Sequence, residues 1–232
     1  MHTQSEEMHK RLEAIFDAFP DIHMEDIPRI DLYMDQVTTF LQESLRGLSR
    51  DPAGDKFLTK TMINNYVKNK VLIPPVRKKY SREHMMLLIM IYYMKSFLSI
   101  GDIRSITGPV MERYASVPAD RAEKHKDSAD KKTGRNERAA GSRAEKGKNA
   151  QPEMGIGEIY EEIIRRMDDE LPRIRGDIDR QIDLAAEDFA DVSPEERDLL
   201  QRFSLITRLS AEVYMRKLFI EKLLDEETEK EL

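Results

Sequence analysis

One stretch limits what this chain can fold into. Residues 116–153 are mostly Lys, Arg, Ala, Asp, Glu, Gly and Ser, with Val117 as the only large aliphatic side chain before Met154. Such a segment cannot bury enough apolar surface to offset the entropy lost on ordering it. A structureless loop of this length is also uncommon inside one compact domain. The expectation is a helical domain over residues 1–115, a disordered charged linker over 116–154 and an acidic helical unit over 155–232.

Charge divides the same way. The whole chain has a net charge of −6. Residues 1–115 carry +1, 116–150 carry +4 and 151–232 carry −11. The acidic total therefore hides a basic segment. Within residues 56–82 lie Lys56, Lys60, Lys68, Lys70, Arg77, Lys78, Lys79 and Arg82, with no acid among them. Like charges at this density repel one another unless something anionic is near.

Other function classes find little support. The chain has no Cys, which excludes disulfides, thiolate metal sites and cysteine nucleophiles. It has no Gly-rich phosphate loop, no G-x-S-x-G and no H-E-x-x-H. The histidines, His2, His9, His23, His84 and His125, have no ligand spacing to one another. No enzymatic activity, metal or cofactor is expected. The opening MHTQSEEMHK has no apolar core of a secretory signal. The longest apolar run, Met85–Met94, is half the roughly 20 residues a membrane span needs. A cytoplasmic protein without a membrane partner is the expectation.

Periodicity predicts a mostly α-helical fold. Met8, Leu12, Ile15, Phe16 and Phe19 mark a helix over 5–19, closed by Pro20. Leu32, Tyr33, Val37, Phe40, Leu41 and Leu45 mark another over 30–48. Thr59 caps a helix over 60–69, with Met62, Ile63, Tyr66 and Val67 on one side. Val71-Leu-Ile-Pro-Pro-Val76 is extended, because each proline excludes helix at the residue before it. Ser81 caps a helix over 82–96, and Ser99 with Asp102 opens one to about Arg113. Beyond the linker, residues 156–190 show steps of three and four, with Pro172 expected to kink or restart the helix. Ser193, Pro194 and Glu196 open a last helix running to about Leu224. Two long helices with a short connection predict an antiparallel hairpin, which has too little core to stand alone.

The basic segment has the order short helix, turn, extended strand, basic loop, capped helix. That is the order of a winged helix-turn-helix, in which a recognition helix enters the major groove and a wing touches the backbone. In such a fold Lys60, Lys68, Lys70, Arg77, Lys78 and Lys79 would neutralise phosphates, and Thr59 and Thr61 could donate to phosphate oxygens. Asn64 and Asn65 could pair with adenine in the major groove. Tyr80 can belong to the core, to a wing contact or to both. From charge alone, a solvated face of an ordinary helical domain is the favoured reading, since Lys-rich faces are common.

Resemblance shifts the balance toward DNA. Ile63-Asn-Asn-Tyr66, Val71-Leu-Ile-Pro74, Arg77-Lys-Lys-Tyr-Ser-Arg-Glu83 and Leu98-Ser-Ile-Gly-Asp-Ile103 resemble the DNA-binding domain of MerR-type regulators. Two departures are Asn64-Asn65, where those proteins carry Arg-Tyr, and an insertion over Leu48–Phe57. Asp31-Leu-Tyr-Met-Asp-Gln-Val37, Thr59-Lys-Thr-Met-Ile-Asn-Asn-Tyr-Val67 and Lys79-Tyr-Ser-Arg-Glu83 are similar to the bacterial family called domain of unknown function 1836. The resemblance spans about Ile27 to Arg113. It implies a MerR-like DNA-binding domain in a bacterial regulator, with duplex DNA as partner. The C-terminal helices, outside it, are expected to form a homodimer. The alternative is a protein-interaction adaptor whose basic face binds an acidic partner or its own C-terminal domain.

Overall fold

The fold comes from a computed structural model, which describes residues 4–49, 57–116 and 154–230. The described residues form seven α-helices and one two-stranded sheet. In chain order these are α1 (Gln4–Asp17), β1 (Leu32–Tyr33), α2 (Met34–Ser44), α3 (Lys60–Lys68), β2 (Lys79–Tyr80), α4 (Arg82–Met94), α5 (Ile100–Tyr114), α6 (Ile156–Glu187) and α7 (Pro194–Lys230). The fold is mostly α. Among the described residues no helix is long and apolar enough to cross a membrane. The expected linker, over 116–154, falls almost entirely on residues outside the described ones, as does Lys56.

The helix starts follow their caps. Thr59 Oγ1 accepts the Met62 N–H at 3.2 Å and opens α3. At α5 the box is reciprocal: Ser99 Oγ accepts the Asp102 N–H at 3.2 Å, and Asp102 Oδ2 accepts the Ser99 N–H at 2.9 Å. Before α7, Ser193 Oγ accepts the Glu196 N–H at 3.4 Å and its hydroxyl donates to Glu196 Oε2 at 2.8 Å. Each cap satisfies N–H groups that the first turn leaves without partners.

Two expectations are corrected. Leu32 and Tyr33, read as helical, form β1 and pair antiparallel with Tyr80 and Lys79. Gln36 Oε1 accepts the Tyr33 N–H at 2.9 Å, so α2 starts only at Met34. Of the two outcomes expected at Pro172, a kink or a restart, the restart does not occur: α6 runs unbroken through it for 32 residues, about 48 Å at 1.5 Å per residue.

Helix α4 sits at the centre. Met85, Met86, Leu87, Leu88, Ile89 and Ile91 are all buried, which is why it shows no single apolar face. Around it lie Ile27, Val37, Leu41, Ile63, Leu72 and Tyr80. The same cluster takes in Ile156, Tyr160 and Ile164 from α6 and Leu224 from α7. The division expected at the charged segment therefore does not divide the core. The spacing of Ile156, Tyr160 and Ile164 is one helix face, and it buries against the N-terminal helices rather than only against α7. A smaller cluster of Leu12, Ile182, Ala185 and Leu205 joins α1, α6 and α7 further along. Gly47 shows how closely α1 approaches: a Cβ there would overlap the Ala18 carbonyl.

Candidate nucleic-acid interface

Helix α3 presents two different faces. Ile63 and Tyr66 are buried at 0% and 5% exposure and hold the helix to the core. Lys60, Thr61, Asn64, Asn65 and Lys68 are exposed. Nine residues make only two and a half turns, so these five side chains share one short surface. The amide of Asn65 is partly engaged, since Asn69 Nδ2 donates to Asn65 Oδ1 at 2.8 Å. The Asn64 amide is left with both of its polar atoms for an outside partner.

The end of α3 carries a backbone constraint. Lys70 has φ 59, in the left-handed region. The Val71 N–H reaches the Tyr66 carbonyl at 2.9 Å and the Lys70 N–H reaches that of Val67 at 3.2 Å. This is a Schellman closure, which usually places glycine where Lys70 stands. The chain then buries Val71 and Leu72, and Thr107 Oγ1 of α5 donates to the Val71 carbonyl at 3.2 Å.

After the prolines the chain reverses within two residues. Val76 and Lys79 exchange backbone hydrogen bonds at 3.1 and 2.9 Å, and between them Arg77 and Lys78 have φ 51 and 64. Two consecutive left-handed residues make the turn type that favours Asn-Gly. Three basic side chains thus occupy positions where a Cβ costs about 1 kcal/mol each. Strain of this kind persists only where the surrounding structure fixes it, and it clusters at functional sites.

Strand pairing brings the turn beside α3. Lys79 lies over the Tyr33 ring at 5.3 Å, and two residues on, Asp35 at the start of α2 holds Lys60 in an ion pair. Lys70, Arg77 and Lys78 are exposed and Lys79 half-buried. Tyr80 is 3% exposed and edge-on to His84 with ring centroids 5.3 Å apart. Of the two roles open to it, the core one holds, and it leaves the surface set. Arg82 also turns away, donating to the Met24 carbonyl.

His84 supports this region from below. It is buried, and its Nδ1 accepts from Ser81 N at 3.0 Å and pairs with Ser81 Oγ at 2.8 Å. The proton is therefore on Nε2, which faces the Ile73 and Pro74 carbonyls without a well-formed hydrogen bond. Burial lowers the imidazole to about 4, against weaker upward pulls from those carbonyls and Asp31.

The acidic helices α6 and α7 lie elsewhere, packed on α1, α4 and α5. There a group forms that histidine spacing had not predicted. His23, in the turn after α1, meets Asp21 and the α6 carboxylates Glu161 and Asp168. No sequence motif could mark it, because His23 and Glu161 are 138 residues apart.

No curated protein matches the chain, and no solved structure does. Residues 22–126, which hold both strands and α2 to α5, match the model of the family described as Domain of unknown function (DUF1836).

Proposed function

We propose that this chain is a DNA-binding transcriptional regulator whose N-terminal part is a MerR-like winged helix-turn-helix. In this reading α2 and α3 are the helix pair, α3 is the recognition helix and Arg77-Lys78 is the wing tip. One observation carries it. The exposed face of α3 holds Lys60, Thr61, Asn64, Asn65 and Lys68, and three more cations beside it are kept in backbone conformations that favour glycine. The lysines and Arg77 supply sequence-independent attraction to phosphates. Asn64 supplies base readout, because a neutral amide with a free donor and acceptor matches the adenine edge.

The C-terminal helices form an antiparallel hairpin that dimerises the protein. Gln201 donates to the Ala186 and Asp188 carbonyls at 2.8 and 2.9 Å, and Gln181 to Glu212 at 3.0 Å, a pairing that runs back from the α6–α7 connection. Away from that contact, Leu199, Phe203, Ile206, Val213 and Tyr214 of α7 are 55–69% exposed. They recur at helical spacing along one face, which a second copy would cover. A dimer presents two recognition helices to two half-sites.

Asn64 tests the readout. Selection of bound duplexes from a random pool should yield a defined motif for the native chain. Asn64→Ala should lose about 1–3 kcal/mol of discrimination at one base pair per half-site. Helical content should be unchanged, since the side chain is exposed. An identical motif from both proteins would remove Asn64 from the interface, and no enrichment at all with the native chain would remove the regulator reading.

A further inference from the structure

We propose that Asp21, His23 and Asp168 bind a divalent transition-metal ion, with Glu161 orienting the histidine from outside the coordination shell. This goes beyond DNA binding and does not depend on it.

The geometry is that of a ligand set. His23 Nδ1 lies 2.8 Å from Glu161 Oε1, and Glu161 Oε2 accepts the Met24 N–H at 2.9 Å. Both Glu161 oxygens are thus acceptors, so Nδ1 carries the proton. Nε2 then faces Asp21 Oδ1 at 2.9 Å and Asp168 Oδ2 at 3.2 Å. The three ligand atoms lie within 4.8 Å of one another. All three are lone-pair donors, and they converge only if a cation sits among them.

A proton on Nε2 is one such cation, and it is too little charge. One imidazolium would face Asp21, Glu161 and Asp168 together, leaving −2. Arg82 helps Glu161 by its charge, while its guanidinium is spent on the Met24 carbonyl. Asp169 and Asp26 add further negative charge nearby.

A divalent ion resolves this. Metal–nitrogen and metal–oxygen bonds of about 2.0–2.2 Å set neighbouring ligand atoms about 3.0–3.4 Å apart, close to the 2.9 and 3.2 Å found here. Two aspartates and a neutral imidazole offset its charge, which leaves only Glu161, −1 in place of −2. A carboxylate on the far histidine nitrogen is the usual orienting partner of a metal-bound imidazole. One nitrogen with two carboxylates favours zinc, manganese, cobalt or nickel over calcium or magnesium. The Asp21, His23 and Asp168 side chains are 68%, 30% and 36% exposed, so an ion can enter and water can complete its shell. Such an ion would clip the turn after α1 to α6.

His9 offers an internal control. Its Nε2 also faces two α6 carboxylates, Asp183 at 3.3 Å and Asp179 at 3.8 Å, but Asp179 already faces Arg175. The test is titration of the chelator-treated full chain with zinc chloride by calorimetry, with cobalt(II) absorption as a second readout. One ion per chain should bind at residues 21, 23 and 168, and the melting temperature should rise by about 5 °C or more at saturation. His23→Gln and Asp168→Asn should each weaken binding at least about 100-fold, the upper limit for loss of an orienting partner alone. Both should also abolish the cobalt band, while His9→Gln leaves it unchanged. Circular dichroism should show both variants folded, as expected for half-buried positions outside the core clusters. No binding at millimolar zinc, or unchanged affinity in His23→Gln, would overturn the proposal.

Discussion

Tyr160→Ala should destabilise the chain by about 4 kcal/mol, the range for losing a large buried ring. Tyr160 is 0% exposed and belongs to the core cluster that α6 shares with α4. Its hydroxyl donates to the Ile22 carbonyl at 2.6 Å, across a separation of 138 residues. Burial has raised that phenol far above its ordinary value, so it stays a donor at any working pH. The variant therefore opens a cavity and strands a buried carbonyl at once. Tyr160→Phe isolates the second term and should cost about 1 kcal/mol. For a chain of this size, Tyr160→Ala should lower the melting temperature by about 8–16 °C. The whole chain should melt in one shifted transition, because both sides of the charged segment share the core. A native-like transition for residues 22–116 with only α6 and α7 lost would show that the core is divided after all.

Acid should cost the protein a further 3 kcal/mol or so through one residue, His84. Its folded value is about 4, against 6.5 for an ordinary histidine. The folded state thus binds fewer protons than the unfolded state between those values. Stability from this group is complete above about 6.5 and falls by about 1.4 kcal/mol per pH unit down to about 4. Protonation would also place a hydrogen on Nδ1, where Ser81 now donates. The cap of α4 and the support under Ile73 and Pro74 fail together. His84→Gln keeps an acceptor at the third position of a Ser-x-x-Gln box and does not titrate. Denaturant midpoints from pH 7 to pH 4 should fall steeply in the native chain and less steeply in His84→Gln. Equal slopes would mean that His84 is not the group responsible. His23 acts in the opposite sense: its hydrogen bond to Glu161 raises it, so without metal its contribution is full below about 6.5 and fades as pH rises.

Local signals in the sequence proved the easiest to read. Thr59, Ser99 and Ser193 sit where their spacing to the next polar residue said a helix would begin, because a cap is settled within four residues. The inward and outward sides of α3 were legible for the same reason: Ile63 and Tyr66 are one turn apart, and Asn64 and Asn65 fall between them. What failed was whatever depends on a distant partner. Leu32 and Tyr33 fit a helical stripe and became a strand only because Lys79 and Tyr80 lie beside them. Ile156, Tyr160 and Ile164 announced an apolar face without naming what covers it. Lys70, Arg77 and Lys78 gave no hint of left-handed backbone, since lysine and arginine are not turn formers. Asp21, His23 and Asp168 are unremarkable until α6 folds against the turn after α1.

The central claim, that the strained basic residues beside α3 serve DNA, has a direct measurement. Lys70→Gly with Lys78→Gly removes two charges and relieves two left-handed positions. The double variant should gain about 1 kcal/mol of stability, the strain released less the added freedom of glycine in the unfolded chain. Its affinity for duplex DNA should nonetheless fall, and the slope of log affinity against log salt should flatten by about 2. A variant that folds better and binds DNA worse is the result expected. Unchanged affinity and slope, or no binding by the native chain at low salt, would contradict the account.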